Sequence, residues 1–335
     1  MTDFFLENPE ASAWADRVLV QHKNGIFGKL VRSIIWSDSR DEKADLIVPI
    51  DPKQLVTEIN REPFIILHNH DPGRPVGRIV KSAYFESAEG RQFVVAVLGY
   101  YAGGSTLNFQ ELGFDTQPLL PLPISLPELP DKIWIELAVD PRELDSGWVD
   151  SVAENAPIRL HRTDLSHNAA SSEQELIRIG IVYLLAVWNP FVKAIAQEAG
   201  KSTYAAIHSW IRTLLKKMED RKSPILDIHT HQDGCQVSFL IRGRDIKINY
   251  AAHEALSSAA VQAALLISKF KVSDMAAKTL VYEFDIDAMR WYPSYAILND
   301  GRIVADKGVL ISFEQLPMSL SLGLIKGKRE TPVNE

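Results

Sequence analysis

Short runs of β-branched and aromatic residues, divided by polar, glycine or proline breaks, dominate the first half of the chain. Residues 18–20, 30–36, 44–48, 64–68 and 93–98 each have the length and composition of a strand. Residues 51–60 differ: Asp51 in the N-cap position and Pro52 at the first helical position predict a helix. Residues 101–130 read as loop, because Gly103-Gly104 is followed by Pro118, Pro121, Pro123, Pro127 and Pro130. Proline lacks the amide that a central strand or helix interior must donate. Residues 133–139 return to a strand pattern.

The second half mixes both periods. A polar stretch at residues 168–174 predicts a linker. Asn189 caps a predicted helix that starts at Pro190 and ends at Gly200. The next helix begins near Ser202, with Tyr204, Ile207, Ile211, Leu214 or Leu215, and Met218 at helical spacing and Lys216, Lys217 and Arg221 off that stripe. After Pro224 the pattern predicts a β-meander over 225–229, 236–241 and 245–249, turning at Asp233-Gly234 and Arg242-Gly243. An alanine-rich helix over 253–269 follows, then strands at 279–284, 295–298 and 302–304 with a hairpin turn at Asn299-Asp300-Gly301. The fold class is α+β, with one helix-rich layer in this half.

Composition narrows the function classes. A length of 335 residues suits two domains, placed at 1–168 and 175–335. Cys235 is the lone cysteine, which excludes an internal disulfide, argues against a cysteine zinc site and suits a reducing, cytoplasmic setting. No basic segment followed by an apolar core opens the chain, so no secretory signal is expected. The most apolar run, residues 179–188, is about half a bilayer span and predicts a buried helix. Residues 1–170 hold 16 Lys and Arg against 25 Asp and Glu, a net of −9, whereas the remainder nets +2. An acidic first half argues against phosphate-backbone binding.

The chemistry concentrates in residues 63–80. An apolar strand delivers His68 and His70 to its end, and Asp71-Pro72-Gly73 reverses the chain. A histidine at a strand end beside a tight turn is held rigidly yet stays accessible, as a general base requires. On a strand His68 and His70 share a face, which also suits a metal. The His-Asn-His segment is similar to zinc isopeptidases with a His-x-His motif. It departs from them downstream, with Arg78 where they need a serine and Lys81 where they need an aspartate. His229 and His231, with Asp227 and Asp233, form a second candidate pair.

The stretch from Asp38 to Ile50, the predicted helix, and then Pro63 to Arg78 resembles the prohead maturation proteases of tailed phages. The likeness rests on an aspartate-rich turn leading into a strand that ends in Pro, a short helix, and an apolar strand carrying His-Asp. His70-Asp71, a short gap and Pro75-Val76-Gly77-Arg78 supply that last piece. The resemblance implies a mostly-β, herpesvirus-protease-like barrel with a serine nucleophile, and His70 as its general base. Ser105, in Gly103-Gly104-Ser105-Thr106-Leu107, is the nearest counterpart of the family's serine, although the family's following Gly is absent; Ser125 is the other candidate. Glu136, in Glu136-Leu137-Ala138-Val139-Asp140-Pro141, corresponds to the orienting acid, with Ala138 where the family has serine. A serine needs a base in reach, and the base needs a third group to set its tautomer.

Two functions follow from this reading. One is a serine endopeptidase using His70, Ser105 and Glu136, with a C-terminal domain that selects a partner. The other is a protease-like domain that has lost its chemistry and recognises a protein. Either way a protein substrate or protein partner is expected, with no nucleic acid, no membrane, no cofactor and no metal; a homo-oligomer is compatible with the sequence. The aromatic and acidic run from Val281 to Tyr295 suits a protein interface if exposed and a hairpin core if buried.

Overall fold

The structure is a computed structural model that describes residues 4–40, 44, 46–62, 64–114, 134–165, 174–181, 198–305 and 310. The chain opens with a short helix α1 (Phe4–Glu7) and then α2 (Pro9–Gln21). Residues 18–20, expected as a strand, are the end of α2. Asn8 accepts from the Ala11 amide, Pro9 occupies the first turn, and Ala11, Ala15 and Val18 bury one face, so cap and periodicity outweigh a β-branched triplet.

Four strands follow: β1 (Lys29–Ser37), β2 (Ile65–Leu67), β3 (Pro75–Glu86) and β4 (Gln92–Tyr100). They form an antiparallel sheet in the order β1-β4-β3-β2. It is open at both edges, so the described strands do not close the barrel that the resemblance implies. Helix α3 (Pro52–Arg61) is capped by Asp51 as expected. It lies on one sheet face, where Ile59 joins Ile66, Val76, Ile79, Val94, Ala96 and Leu98. Among the described residues of 44–48, Leu46 makes an isolated bridge to Arg40 in place of the expected strand.

The second sheet has nine strands: β5 (Thr106–Leu107), β6 (Ile135–Val139), β7 (Leu160–Asp164), β8 (Glu175–Ile181), β9 (Pro224–Gln232), β10 (Cys235–Arg242), β11 (Ala277–Asp285), β12 (Arg290–Leu298) and β13 (Ile303–Ala305). Their order is β5-β13-β12-β11-β10-β9-β8-β6-β7. The sheet therefore takes strands from both sides of residues 168–175, and the two sheets divide the chain differently from the expected 1–168 and 175–335. The pairs β6–β7, β8–β9 and β10–β11 are parallel, and parallel neighbours need a crossover long enough for a helix. Helix α4 (Ser146–Ala153) fills the first, α5 (Glu198–Lys217) the second, and α6 (Ile246–Glu254) with α7 (Leu256–Val272) the third.

These helices cover one face of the nine-stranded sheet. Trp210, Ile211, Leu214 and Phe270 pack there on Ile179, Ile228, Phe239 and Tyr282. The opposite face meets the four-stranded sheet, where Phe27 and Tyr101 pack with Leu240, Val281, Tyr295 and Ile297. Helix α5 runs through Gly200, where a break was expected. Residues 245–249, expected as a strand, begin α6 because Asp245 caps it. Of the run 179–188, residues 179–181 end β8 and the rest lies outside the described residues, as do the prolines at 118–130, Ser125, the linker at 168–173 and the cap at Asn189. Among the described residues no single helix is long and apolar enough to cross a membrane.

Candidate functional site

The histidine motif sits where the two sheets meet. Strand β2 ends at Leu67, and His68–His70 form one turn of 3-10 helix with Asn69 in the left-handed region at φ 49°. His68 and His70 therefore do not share a strand face. Asp71 tightens the reversal: its Oδ1 accepts from the Gly73 amide at 2.8 Å and its carbonyl accepts from the Arg74 amide at 2.9 Å.

This turn is locked onto the nine-stranded sheet. Arg242, at the end of β10, donates to both Asp71 oxygens at 2.6 and 2.9 Å, and its Nη2 donates to Glu283 Oε1 of β11 at 2.6 Å. Arg74 approaches the same carboxylate at 3.3 Å, and the Tyr292 hydroxyl donates to Glu283 Oε2 at 3.1 Å. The Tyr295 hydroxyl donates to the Pro72 carbonyl at 2.7 Å. Asp71 and Glu283 are buried, so each charge needs its partner. Burial alone would lower the pKa of Arg242; the Asp71 hydrogen bond and the Glu283 and Asp71 charges outweigh it and raise the value. Burial, then Glu283, pushes Tyr292 up to about 12.

The rest of the motif is also spent on packing. A Cβ on Gly77 would stand 2.2 Å from the Gly99 carbonyl oxygen across β3 and β4. Arg78 lies over the Phe27 ring at 5.6 Å and fills the space beside Gly301, in the β12–β13 turn. The glycines near Ser105 have a similar cause. A Cβ on Gly28 would be 2.0 Å from the Ala102 carbonyl oxygen, and one on Gly104 would be 2.3 Å from that of Ile26. Two backbone segments touch there, and neither tolerates a side chain.

Of the expected catalytic trio, strand order sets Ser105 and Glu136 apart. His70 ends the 3-10 turn, and its side chain lies outside the described part of the structure. Ser105 is exposed and its amide donates to the Gly25 carbonyl at 2.9 Å, just before the edge strand β5. Glu136 is on β6, near the other edge, with six strands between it and β5. At roughly 4.8 Å per strand, that is about 34 Å along the sheet.

Glu136 instead has a different histidine beside it. It pairs with Gly180 on β8, Gly180 pairs with His229 on β9, and His229 pairs with Ser238 on β10. Gly180 leaves the gap: a Cβ there would lie 3.1 Å from both the Glu136 Cβ and the His229 ring. Two register positions away, on the same face, Arg178 Nε donates to the fully buried Asp227 at 2.9 Å. Asp227 Oδ1 and His229 Nδ1 are buried without a hydrogen-bond partner among the described residues. Burial lowers the His229 pKa, and Arg178 and His231 add to this against Asp227 and Glu136. The ring is held neutral, and a neutral imidazole accepts a proton at one nitrogen and donates at the other.

The second expected metal pair does not assemble with its acids. His229 is buried and His231 exposed, while Asp233 sits at the β9–β10 turn and pairs with Lys271 at 3.0 Å. Among the described residues, a group fit to hold a metal ion is His208, His253 and Glu254, on the helical side. Sequence reasoning missed these three and also Arg242 and Glu283. The available signal was a lone charge in an apolar strand, as in Leu240-Ile241-Arg242 and Tyr282-Glu283-Phe284. Comparisons of the chain with protein-family models, with curated proteins and with solved structures return no match.

Proposed function

We propose that this chain is a catalytically inactive, protease-like module that acts through protein–protein contacts. The observation that carries this reading is the use made of the His-Asp-Pro-Gly-Arg turn. Asp71, Pro72, Gly73 and Arg74 are spent on docking the two sheets, while Ser105 and Glu136 stand on opposite flanks of the larger one. A serine protease also needs an acid beside its base, and strand order sets Glu136 far from Ser105. On this reading the prohead-protease likeness lies in the sequence motif and not in its chemistry. The contact surface is supplied by exposed apolar side chains: Phe64 beside β2, and Ile286 and Met289 on the β11–β12 hairpin, where the aromatic residues Tyr282, Trp291 and Tyr295 are core. Single exposed apolar side chains are ordinary, but a hairpin tip with two of them flanked by Asp285, Asp287 and Arg290 has the mixed character of an interface.

A second reading has one specific observation in its favour. Glu136, His229 and Ser238 lie in one row across β6, β8, β9 and β10, and directly opposed residues such as His229 and Ser238 have Cβ atoms about 5 Å apart. This row offers an acid, a base and a hydroxyl for a serine endopeptidase, but Ser238 is buried beneath the other sheet's side and lacks access.

A fluorophosphonate probe separates the two. The binding reading expects no labelled serine and no cleavage of a peptide library. It also expects a photo-crosslinking side chain at Ile286 to capture one discrete protein species that the same group at exposed Glu89 does not. A covalently labelled serine would overturn it, and the labelled position, Ser238 or Ser105, would identify the nucleophile.

A further inference from the structure

Helices α5 and α6 pack against each other on the side of the molecule away from the histidine motif. On α5, Ile207, Trp210, Ile211 and Leu214 face the core, which leaves His208 and Arg212, one turn apart, at the rim. On α6, Asp245 caps the start and Ala252 is anchored by the Trp291 indole, which donates to its carbonyl at 2.9 Å. The helix then ends in His253-Glu254, and α7 leaves at a 50° bend. Two rigid elements thus present His208, His253 and Glu254 to one another.

We propose that His208, His253 and Glu254 bind a divalent transition cation of the zinc class, with its remaining coordination position open to solvent. One ligand atom from each residue lies within 4.8 Å of the other two. Ligands around a tetrahedral zinc at 2.0–2.1 Å stand about 3.3 Å apart, so closure asks for a shift of at most about 1.5 Å. His253 is buried, while His208 is half-buried and Glu254 exposed, so the shift falls to the two residues at the rim. The two imidazole rings are already 4.2 Å apart, centre to centre.

The donor set selects the ion. Two imidazoles and one carboxylate suit zinc and its neighbours, whereas magnesium and calcium prefer oxygen throughout. Arg212 fixes the third ligand. Its Nη1 donates to Glu254 Oε1 at 2.5 Å while its guanidinium lies 4.1 Å over the Tyr250 ring. Glu254 Oε2 is left facing His208 Nε2 at 4.0 Å. The C-terminal end of α6 adds a partial negative charge that favours a cation. Arg212 opposes the ion electrostatically, and Glu254 must serve both.

Zinc chloride titrated into the EDTA-treated full chain tests this by calorimetry and by thermal melting. The expected result is one equivalent bound and a rise in Tm. His208→Ala and Glu254→Gln, both at the rim, lower the affinity by about tenfold or more while the metal-free melting curve is unchanged. Cobalt in place of zinc gives visible d–d absorption that the same variants lose. His231→Ala, on the exposed end of β9, leaves binding intact. Failure of the full chain to bind zinc, equal binding by both rim variants, or loss on His231→Ala alone would overturn the site.

Discussion

Gly77 and Gly73 both refuse a methyl group, for different reasons. At Gly77 the added carbon meets the Gly99 carbonyl oxygen at 2.2 Å, which is backbone held in a paired strand. At Gly73 it meets Glu283 Oε1 at 2.1 Å and Arg242 Nη2 at 2.3 Å, the tips of the buried ion cluster that docks the turn. Gly77→Ala and Gly73→Ala should therefore each cost about 3 kcal/mol by urea denaturation; a loss under about 1 kcal/mol at either would contradict the packing described. His229 gives a pH dependence with a definite sign. Its folded pKa lies below the ordinary 6.5, so the unfolded chain binds the proton more readily. Its contribution is fully present above about pH 6.5 and is lost as the pH falls toward the folded value. Asp227, Arg178, Glu136 and His231 face the ring and set how far that window extends. Denaturation midpoints between pH 7.5 and pH 5 should fall more steeply in the native chain than in His229→Gln, and parallel curves would sink the assignment.

Elements were legible where local chemistry dictates them. The Asp51-Pro52 cap marks α3, and β-branched runs mark β1, β4, β9, β10 and β11. Errors arose where two local signals compete. In α2 a Val-Leu-Val triplet is overridden by Asn8 and by alternate burial, and in α6 the strand-like Ile246 and Ile248 follow a cap. Asp245 Oδ1 accepts from the amides of Lys247 at 2.9 Å and Ile248 at 3.2 Å, satisfying two donors that the first turn leaves open. Asp245→Ala should cost about 1 kcal/mol of stability and speed amide exchange in the first turn of α6. Unchanged exchange there would show that packing alone holds the helix.

At the scale of the whole molecule, the larger sheet joins the acidic and near-neutral halves of the chain. Strands β6 and β7 come from before residue 168, yet β6 pairs with β8 along five register positions, and β5 pairs with β13. A fragment of residues 1–168 would expose the β6 edge and one face of Ile135, Leu137 and Val139. Such a fragment should lack a cooperative thermal transition by circular dichroism, and mixing it with residues 169–335 should restore one. A sharp transition in the isolated fragment would restore the boundary expected from the chain's composition.

The amino-acid sequence by itself determined the α+β class, most strands, the Asp51 cap, and the importance of the stretch around His70 and Asp71. These depend on residues within a few positions of each other. Only the tertiary structure decided what that stretch does. Arg242 reaches Asp71 across 171 residues, and the partner of a buried charge is chosen by which sheet faces meet. The same holds for Ser105 and Glu136, which strand order separates, and for His208 and His253, which helix packing unites. Strand order and helix packing follow from burying whole faces at once, and no local run of residues carries that information.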